Sequence, residues 1–215
     1  MKIFADLEKN LVMHLPADKN ARILDFGCGA GRLLHFLHGK GYTNLHGADI
    51  DESEWRQLEP ITRSLTKIEN TRSFLISIAN SYDFIIAKDV IYYFDNKEIQ
   101  HIVDLLRAAL LPQGKIYFEI FNGATLTGPY VKYKDLGIEL ILTEHSLRNL
   151  ISKAGLKLDC IRGNTIPITG PVSLVFTIVN FFERLWLKFI YFFERSIDSQ
   201  NPKIFKRKVI AIASV

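Results

Sequence analysis

Apolar residues recur along this chain with two periods, and they divide it into alternating strands and helices. Ile3, Phe4, Leu7, Leu11 and Leu15 fall at helical spacing, and Pro16 ends the run. Ile23 and Leu24 close a short apolar run, three glycines follow at alternate positions (Gly27, Gly29, Gly31), and Leu33, Leu34, Phe36 and Leu37 resume helical spacing. That order predicts a buried strand, a sharp glycine turn and a helix start. Leu45 to Asp49 predicts a second short strand, with Asp51 as a helix cap just beyond it. Trp55 and Leu58 suggest a short helix before Pro60, and Phe74 to Ile78 reads as a third strand. Phe84-Ile85-Ile86-Ala87 is apolar on both faces, as a central parallel strand requires. Ile99, Ile102, Val103, Leu106 and Leu110 give a helix that Leu111-Pro112-Gln113-Gly114 stops, and Lys115 to Asn122 gives a fifth strand. Thr143 is the predicted N-cap of a helix ended by Gly155, with a strand over Lys157 to Ile161 beyond it. Val209 to Val215 is a final strand.

One long helix interrupts this alternation. Between Pro171 and Arg195, Ser173, Thr177, Asn180, Arg184, Lys188, Tyr191 and Arg195 recur every three or four residues, and most of the other positions are Val, Leu, Ile, Phe or Trp. Glu183, Arg184 and Lys188 break its apolar length before the roughly 20 residues needed to cross a bilayer. Its apolar surface exceeds what covering one sheet face uses. That leaves a homodimer contact through 171–195, a lid over an apolar acceptor, or a membrane surface, to which the nearby Lys203, Lys206, Arg207 and Lys208 add an anionic preference; a helix buried within the domain or in a dimer stands at equal weight.

Composition narrows the class. The 215 residues are 48% hydrophobic, enough for one α/β core over 1–215 and against disorder. A formal charge of +4 with no long Lys/Arg run argues against a nucleic-acid partner. The two cysteines, Cys28 and Cys160, indicate neither zinc nor a disulfide framework. The six histidines show no paired spacing for a metal. The N-terminus lacks a signal-peptide apolar region, so a cytoplasmic protein is expected.

The chemistry is carried by the glycine turn. Glycine lets the backbone turn sharply and lets a ligand come close, and the helix N-terminus beyond offers free N–H groups to a negative group. Here the glycines fall as G-x-G-x-G with Asp25 two residues before the first, whereas a dinucleotide fingerprint reads G-x-G-x-x-G. An acid at the end of the second strand accepts hydrogen bonds from ribose hydroxyls in nucleotide-type folds, which makes Asp49, 18 residues after Gly31, the candidate and sets Ile50 against the adenine.

The D-x-G-x-G-x-G turn, the Tyr82-Asp83 opening of the fourth strand with its polar Lys88-Asp89 end, and the Leu-Pro-x-Gly entry to the fifth strand together resemble the class I S-adenosylmethionine-dependent methyltransferases. The resemblance implies a Rossmann-like seven-stranded, mostly parallel sheet, its last strand antiparallel beside the sixth, and helices on both faces; a short turn normally joins those last two strands, and here a hydrophobic helical insertion at 164–208 stands in its place. It implies S-adenosylmethionine (SAM) as cofactor and Asp25, Gly27, Cys28, Gly29, Asp49, Ile50 and Lys88 as its site. The N-terminal helix is expected first of all to cover the sheet, and the resemblance adds that such a helix can lean over the cofactor. Catalytic groups are expected among Asp89, Tyr92 and Tyr93, where many relatives carry a histidine. Asn122, Tyr133, Asp135 and Thr143 resemble a subgroup associated with cell-surface glycan assembly, with Gly137 and Ile138 where that subgroup has a Thr-His pair. Asn122 and Tyr133 are therefore expected at the acceptor, which would be a small molecule, a sugar or a lipid-linked glycan precursor. Two other readings stand: a SAM-binding module without catalysis, and an NAD-dependent oxidoreductase, which would need a later third glycine and a catalytic Tyr/Lys or His dyad.

Overall fold

A computed structural model describes residues 2–51, 65–168, 170–195 and 201–215. The elements run α1 (Lys2–Asn10), β1 (Ile23–Phe26), α2 (Arg32–Gly39), β2 (Leu45–Asp49), β3 (Leu65–Lys67), α3 (Thr71–Ser77), β4 (Tyr82–Lys88), α4 (Ile99–Ala109), β5 (Leu110–Phe121), α5 (Gly128–Lys134), α6 (Glu144–Lys153), β6 (Lys157–Gly163), α7 (Pro171–Arg195) and β7 (Lys208–Ser214). The strands form one sheet in the order β3-β2-β1-β4-β5-β7-β6. All neighbours are parallel except β7, which is antiparallel to both β5 and β6. This is the Rossmann-like sheet expected, and the long helix before the last strand is present as α7.

Alternation along each strand builds two cores. Leu24, Ile85, Phe118, Val209 and Ala211 point to the face covered by α3, α4 and α6. Ile23, Phe84, Ile86, Tyr117 and Ile210 point to the face covered by α1 and α2. Each β-strand sends successive side chains to opposite faces, so a strand apolar throughout serves both layers. Thr143 caps α6 in a capping box with Ser146, and Gly155 ends it with φ +69°.

Three expectations need correction. Phe74 to Ile78 is not a strand: α3 covers Thr71–Ser77, capped by the Asn70 side chain, which accepts the Ser73 N–H at 3.0 Å. The third strand is the short edge segment Leu65–Lys67. The Leu111-Pro112-Gln113-Gly114 stretch does not separate helix from strand. The strand begins at Leu110, and the extra residues bulge between the pairs Tyr82–Leu110 and Phe84–Lys115, with Gln113 at φ +69°. The N-terminal helix is shorter than its apolar pattern: α1 ends at Asn10, and Val12–His14 forms a single 3₁₀ turn. The Asn10 side chain is buried and bonded to both backbone groups of Thr165. The short helix expected around Trp55 and Leu58 lies outside the described residues.

Candidate active site

The carboxyl ends of β1, β2, β4 and β5 and the amino end of β7 meet on one edge of the sheet, the edge where open α/β sheets take ligands. At β1 the chain leaves through Gly27 (φ +76°) and Gly29 (φ +46°). A Cβ on Gly27 would lie 2.5 Å from Cγ2 of Val90, so the turn packs directly on the segment after β4. A Cβ on Gly29 would meet nothing within 4 Å. Open space over a left-handed glycine is room for a ligand against the backbone.

The turn is tied to β2. The amide of Gly29 donates to Oδ2 of Asp49 at 2.7 Å, and the amide of Asp51 donates to Oδ1 at 2.9 Å. A carboxylate has about four lone-pair sites, so both oxygens keep acceptor capacity. The next residue, Ile50, is 69% exposed, an apolar side chain standing free beside the acid. Asp25 is buried below the turn, and burial raises its pKa to about 7, with the Lys88 charge opposing and Asp49 adding. Burial also pushes the Cys28 thiol up, which leaves it a small uncharged filler of the turn.

A compact charge cluster closes the ends of β4, β5 and β7. Nζ of Lys208 lies 2.6 Å from Oδ2 of Asp89 and 2.6 Å from Oε1 of Glu119. Nζ of Lys88 lies 2.5 Å from the same Asp89 oxygen and 3.3 Å from Glu119. The Tyr117 hydroxyl donates to Oε2 of Glu119 at 2.7 Å. Asp89 sits at φ +57°, an uncommon conformation outside glycine. Burial works against its charge, but Lys208 and Lys88 together hold its pKa below the ordinary carboxylate value. Burial would likewise disfavour charged Lys88, but Asp89 and Glu119 raise its pKa. Asp6 of α1 is close enough to feel Glu119 and Lys208, so this helix both covers the sheet and borders the cluster.

The tyrosines differ. Tyr92 is buried against Phe121, and burial and Asp89 push its pKa far up. Tyr93 is 42% exposed and donates to Oδ2 of Asp135 at 2.7 Å. Burial and that bond raise its pKa to about 12. The amides of Glu139 and Leu140 donate to the Tyr92 carbonyl, so the loop after α5 sits on this turn. Tyr133 stands 76% exposed on α5. Asn122 is fully buried: its amide donates to the carbonyls of Ile204 and Lys206, and its oxygen accepts the Ala124 N–H. Both donors tie the end of β5 to the approach to β7, and with no surface exposed the side chain is closed to an acceptor.

Two parts of this edge are not legible in the sequence. Lys208 reads there as one of the surface cations, yet it points into the cluster. The antiparallel pairing of Phe121 with Lys208 is the reason, since it brings the start of β7 to the ends of β4 and β5. The segment after β3 is the other part: the amide of Ile68 donates to the Asp49 carbonyl at 2.7 Å, which sets Ile68 and Glu69 beside the second strand's acid.

A glycine turn bonded to an acid at the next strand's end, on a sheet of this order, defines a methyltransferase-type α/β enzyme. The family model "Methyltransferase domain" matches residues 2–161, and the chain belongs to that family, whose cofactor is SAM. Solved structures share the fold. A SAM-dependent methyltransferase from Archaeoglobus fulgidus matches with a TM-score of 0.71 at 18% identity, over 99% of this chain and 93% of that one. The Burkholderia thailandensis 1,6-didemethyltoxoflavin-N1-methyltransferase, solved with bound 1,6-didemethyltoxoflavin and S-adenosylhomocysteine, matches with a TM-score of 0.59 at 14% identity, over 91% and 71%. The Haemonchus contortus phosphoethanolamine N-methyltransferase 2, solved with SAM, gives 0.60 at 14%, over 98% and 52%. No curated protein matches the chain.

Proposed function

We propose that the chain, as one methyltransferase domain over 1–215, transfers a methyl group from SAM to a small molecule, sugar or lipid-linked glycan precursor in the cytoplasm. The observation that carries this is the Gly29–Asp49 tie beside free space and the exposed Ile50. Gly27, Cys28 and Gly29 offer backbone to the donor. Asp49 keeps lone pairs for ribose hydroxyls, Ile50 lies on the adenine, and Asp25 with Lys88 sets the charge beneath the methionine part. SAM supplies a methyl already activated on a sulfonium.

The acceptor side has a specific electrostatic character. Asp89 is ionised through the neutral range, so it accepts a hydrogen bond from an acceptor N–H or O–H and orients it. It is a weak base because two ammonium groups hold it. Tyr92 and Tyr93 keep their protons and act as donors or as walls. An acceptor that attacks without a strong base, such as an amine or a carboxylate, fits this site better than an unactivated alcohol. Tyr133 and Tyr93 border the approach. The segment after β5 also lines a cleft under α7 through Thr125, which supports a lipid-linked acceptor.

The test is a panel of amines, carboxylates, sugars and lipid-linked sugars, scored by S-adenosylhomocysteine release. With any acceptor found, Asp89→Asn should cut kcat by about 10²-fold through lost orientation while SAM affinity stays within about twofold. An unchanged kcat would remove Asp89 from the acceptor site.

A further inference from the structure

Helix α7 is amphipathic in the inverted sense. Its polar stripe faces the protein: Ser173, Thr177, Asn180, Arg184 and Tyr191 are all partly buried, while most of its apolar residues are exposed. The inward polar groups are largely bonded to the helix itself, as in Thr177 Oγ1 to the Ser173 carbonyl at 2.8 Å and Asn180 Nδ2 to the Phe176 carbonyl at 2.6 Å. Leu187 is the buried apolar anchor, and the Tyr191 ring packs on Phe205 at 5.4 Å.

The outward face is continuous. At about 100° per residue, the positions from Phe181 round to Val179 span an arc of about 160° without one polar side chain. Its large side chains are 48–67% exposed, Val175, Phe182, Trp186, Phe189 and Phe193 among them. Six of them are aromatic, and a whole aromatic covers roughly 150–250 Å². The bare arc is therefore on the order of 1,000 Å², against roughly 300–600 Å² for the largest apolar patch of an ordinary monomer.

The width of the arc and the charges at its border identify the occupant. A helix-pair seam uses two positions in seven and would leave the flanks of this arc in water. A medium that wraps the whole outward side of the helix covers 160° of it. Among the described residues no helix is long and apolar enough to cross a membrane, so α7 would lie in the plane of one. The border is basic. Two clefts, of about 250 and 280 Å³, share Arg184, Phe205 and Lys206. Arg207 lines one and Lys188 and Lys203 the other, with Glu183 the acid present. Burial and the charges of Arg184 and Arg162 lower the pKa of Lys206, as expected where cations crowd together. The family match ends at residue 161, so this device lies outside the matched part of the chain.

We propose that α7 docks in-plane on an anionic phospholipid bilayer. Its aromatic arc enters the boundary between headgroups and acyl chains, and the exposed Lys188, Lys203 and Arg207 meet the lipid phosphates. The neutral outward arc supplies depth, and the basic clefts supply the preference for negative lipid.

Vesicle flotation tests this, with pure phosphatidylcholine set against phosphatidylcholine containing a quarter phosphatidylglycerol, at low salt. The sequence has two tryptophans, so Trp55→Phe leaves Trp186 as the only reporter. The expected result is flotation with the anionic vesicles, at least tenfold weaker binding to the neutral ones, and quenching of Trp186 by lipids brominated in the acyl chain. The triple variant Val175→Glu/Phe182→Glu/Phe189→Glu should stay in solution with its SAM affinity unchanged. The pair Lys203→Glu/Arg207→Glu keeps the arc and should lose only the anionic preference. A protein that stays in solution with both vesicle types overturns the proposal. If light scattering then shows a dimer that the triple variant splits, the arc is a subunit interface. Equal binding to both vesicle types, or an unquenched Trp186, overturns it as well.

Discussion

Replacing Asp49 separates turn stability from donor binding. Its carboxylate receives the Gly29 amide at 2.7 Å and the Asp51 amide at 2.9 Å, and it keeps lone pairs for ribose. A hydrogen bond to a charged group contributes about 1.5–3 kcal/mol. Asp49→Ala should therefore weaken SAM binding by roughly 10- to 150-fold. It should also lower folding stability by about 1–2 kcal/mol, because the Gly29 amide loses its acceptor. Asp49→Asn keeps an acceptor oxygen for that amide, so its stability loss should be smaller while most of the affinity loss remains. Calorimetric titration gives the affinity, and thermal unfolding without ligand gives the stability. A folded Asp49→Ala protein that binds SAM as tightly as the parent would refute the ribose assignment. A variant that lost stability alone would reduce Asp49 to a turn tie.

The two glycines should part in the same assays. Gly27→Ala places a Cβ 2.5 Å from Val90 at φ +76°, so overpacking and backbone strain should lower Tm by about 5–15 °C. Gly29→Ala meets no protein atom, so it should cost only the strain of an L-residue at φ +46°, a Tm loss of about 2–8 °C, while weakening SAM binding at least tenfold; unchanged affinity there would place the donor elsewhere. Asp25 gives a pH signature. Its folded pKa of about 7 lies above the ordinary 3.8, so its contribution is fully present below pH 3.8 and lost as pH rises through 7. Free-protein stability should fall across that window by on the order of 4 kcal/mol, and Asp25→Asn should flatten the fall. A parent and variant with parallel pH profiles would show that Asp25 is not the titrating group.

The parts of this molecule that the sequence makes legible are those where local and global signals agree. Residues 23–37 carry a strand, a glycine turn and a helix in one stretch, and the structure follows them residue by residue. Thr143 and Gly155 bound α6 because cap chemistry acts locally. Phe74 to Ile78 misleads because five residues fit either period, and the deciding contact is the Asn70 cap just outside the run. Leu65–Lys67 is a three-residue edge strand with a single partner, too short to leave a pattern. Lys208 is hidden for another reason: its neighbours Lys206 and Arg207 read as a solvated charge run, and only the antiparallel register of β7 turns it inward. The stripe on α7 is visible, but periodicity does not say which side of a helix meets the protein. Here the polar side does.

The central claim is that the Gly27–Gly29 turn and Asp49 form a SAM site. Calorimetric titration of the whole chain with SAM, S-adenosylhomocysteine and NAD in parallel tests it most directly. The account predicts saturable one-to-one binding of SAM and S-adenosylhomocysteine and no heat of binding with NAD. Saturable binding of NAD with none of SAM would contradict it, and so would SAM binding that survives Gly29→Ala and Asp49→Ala together.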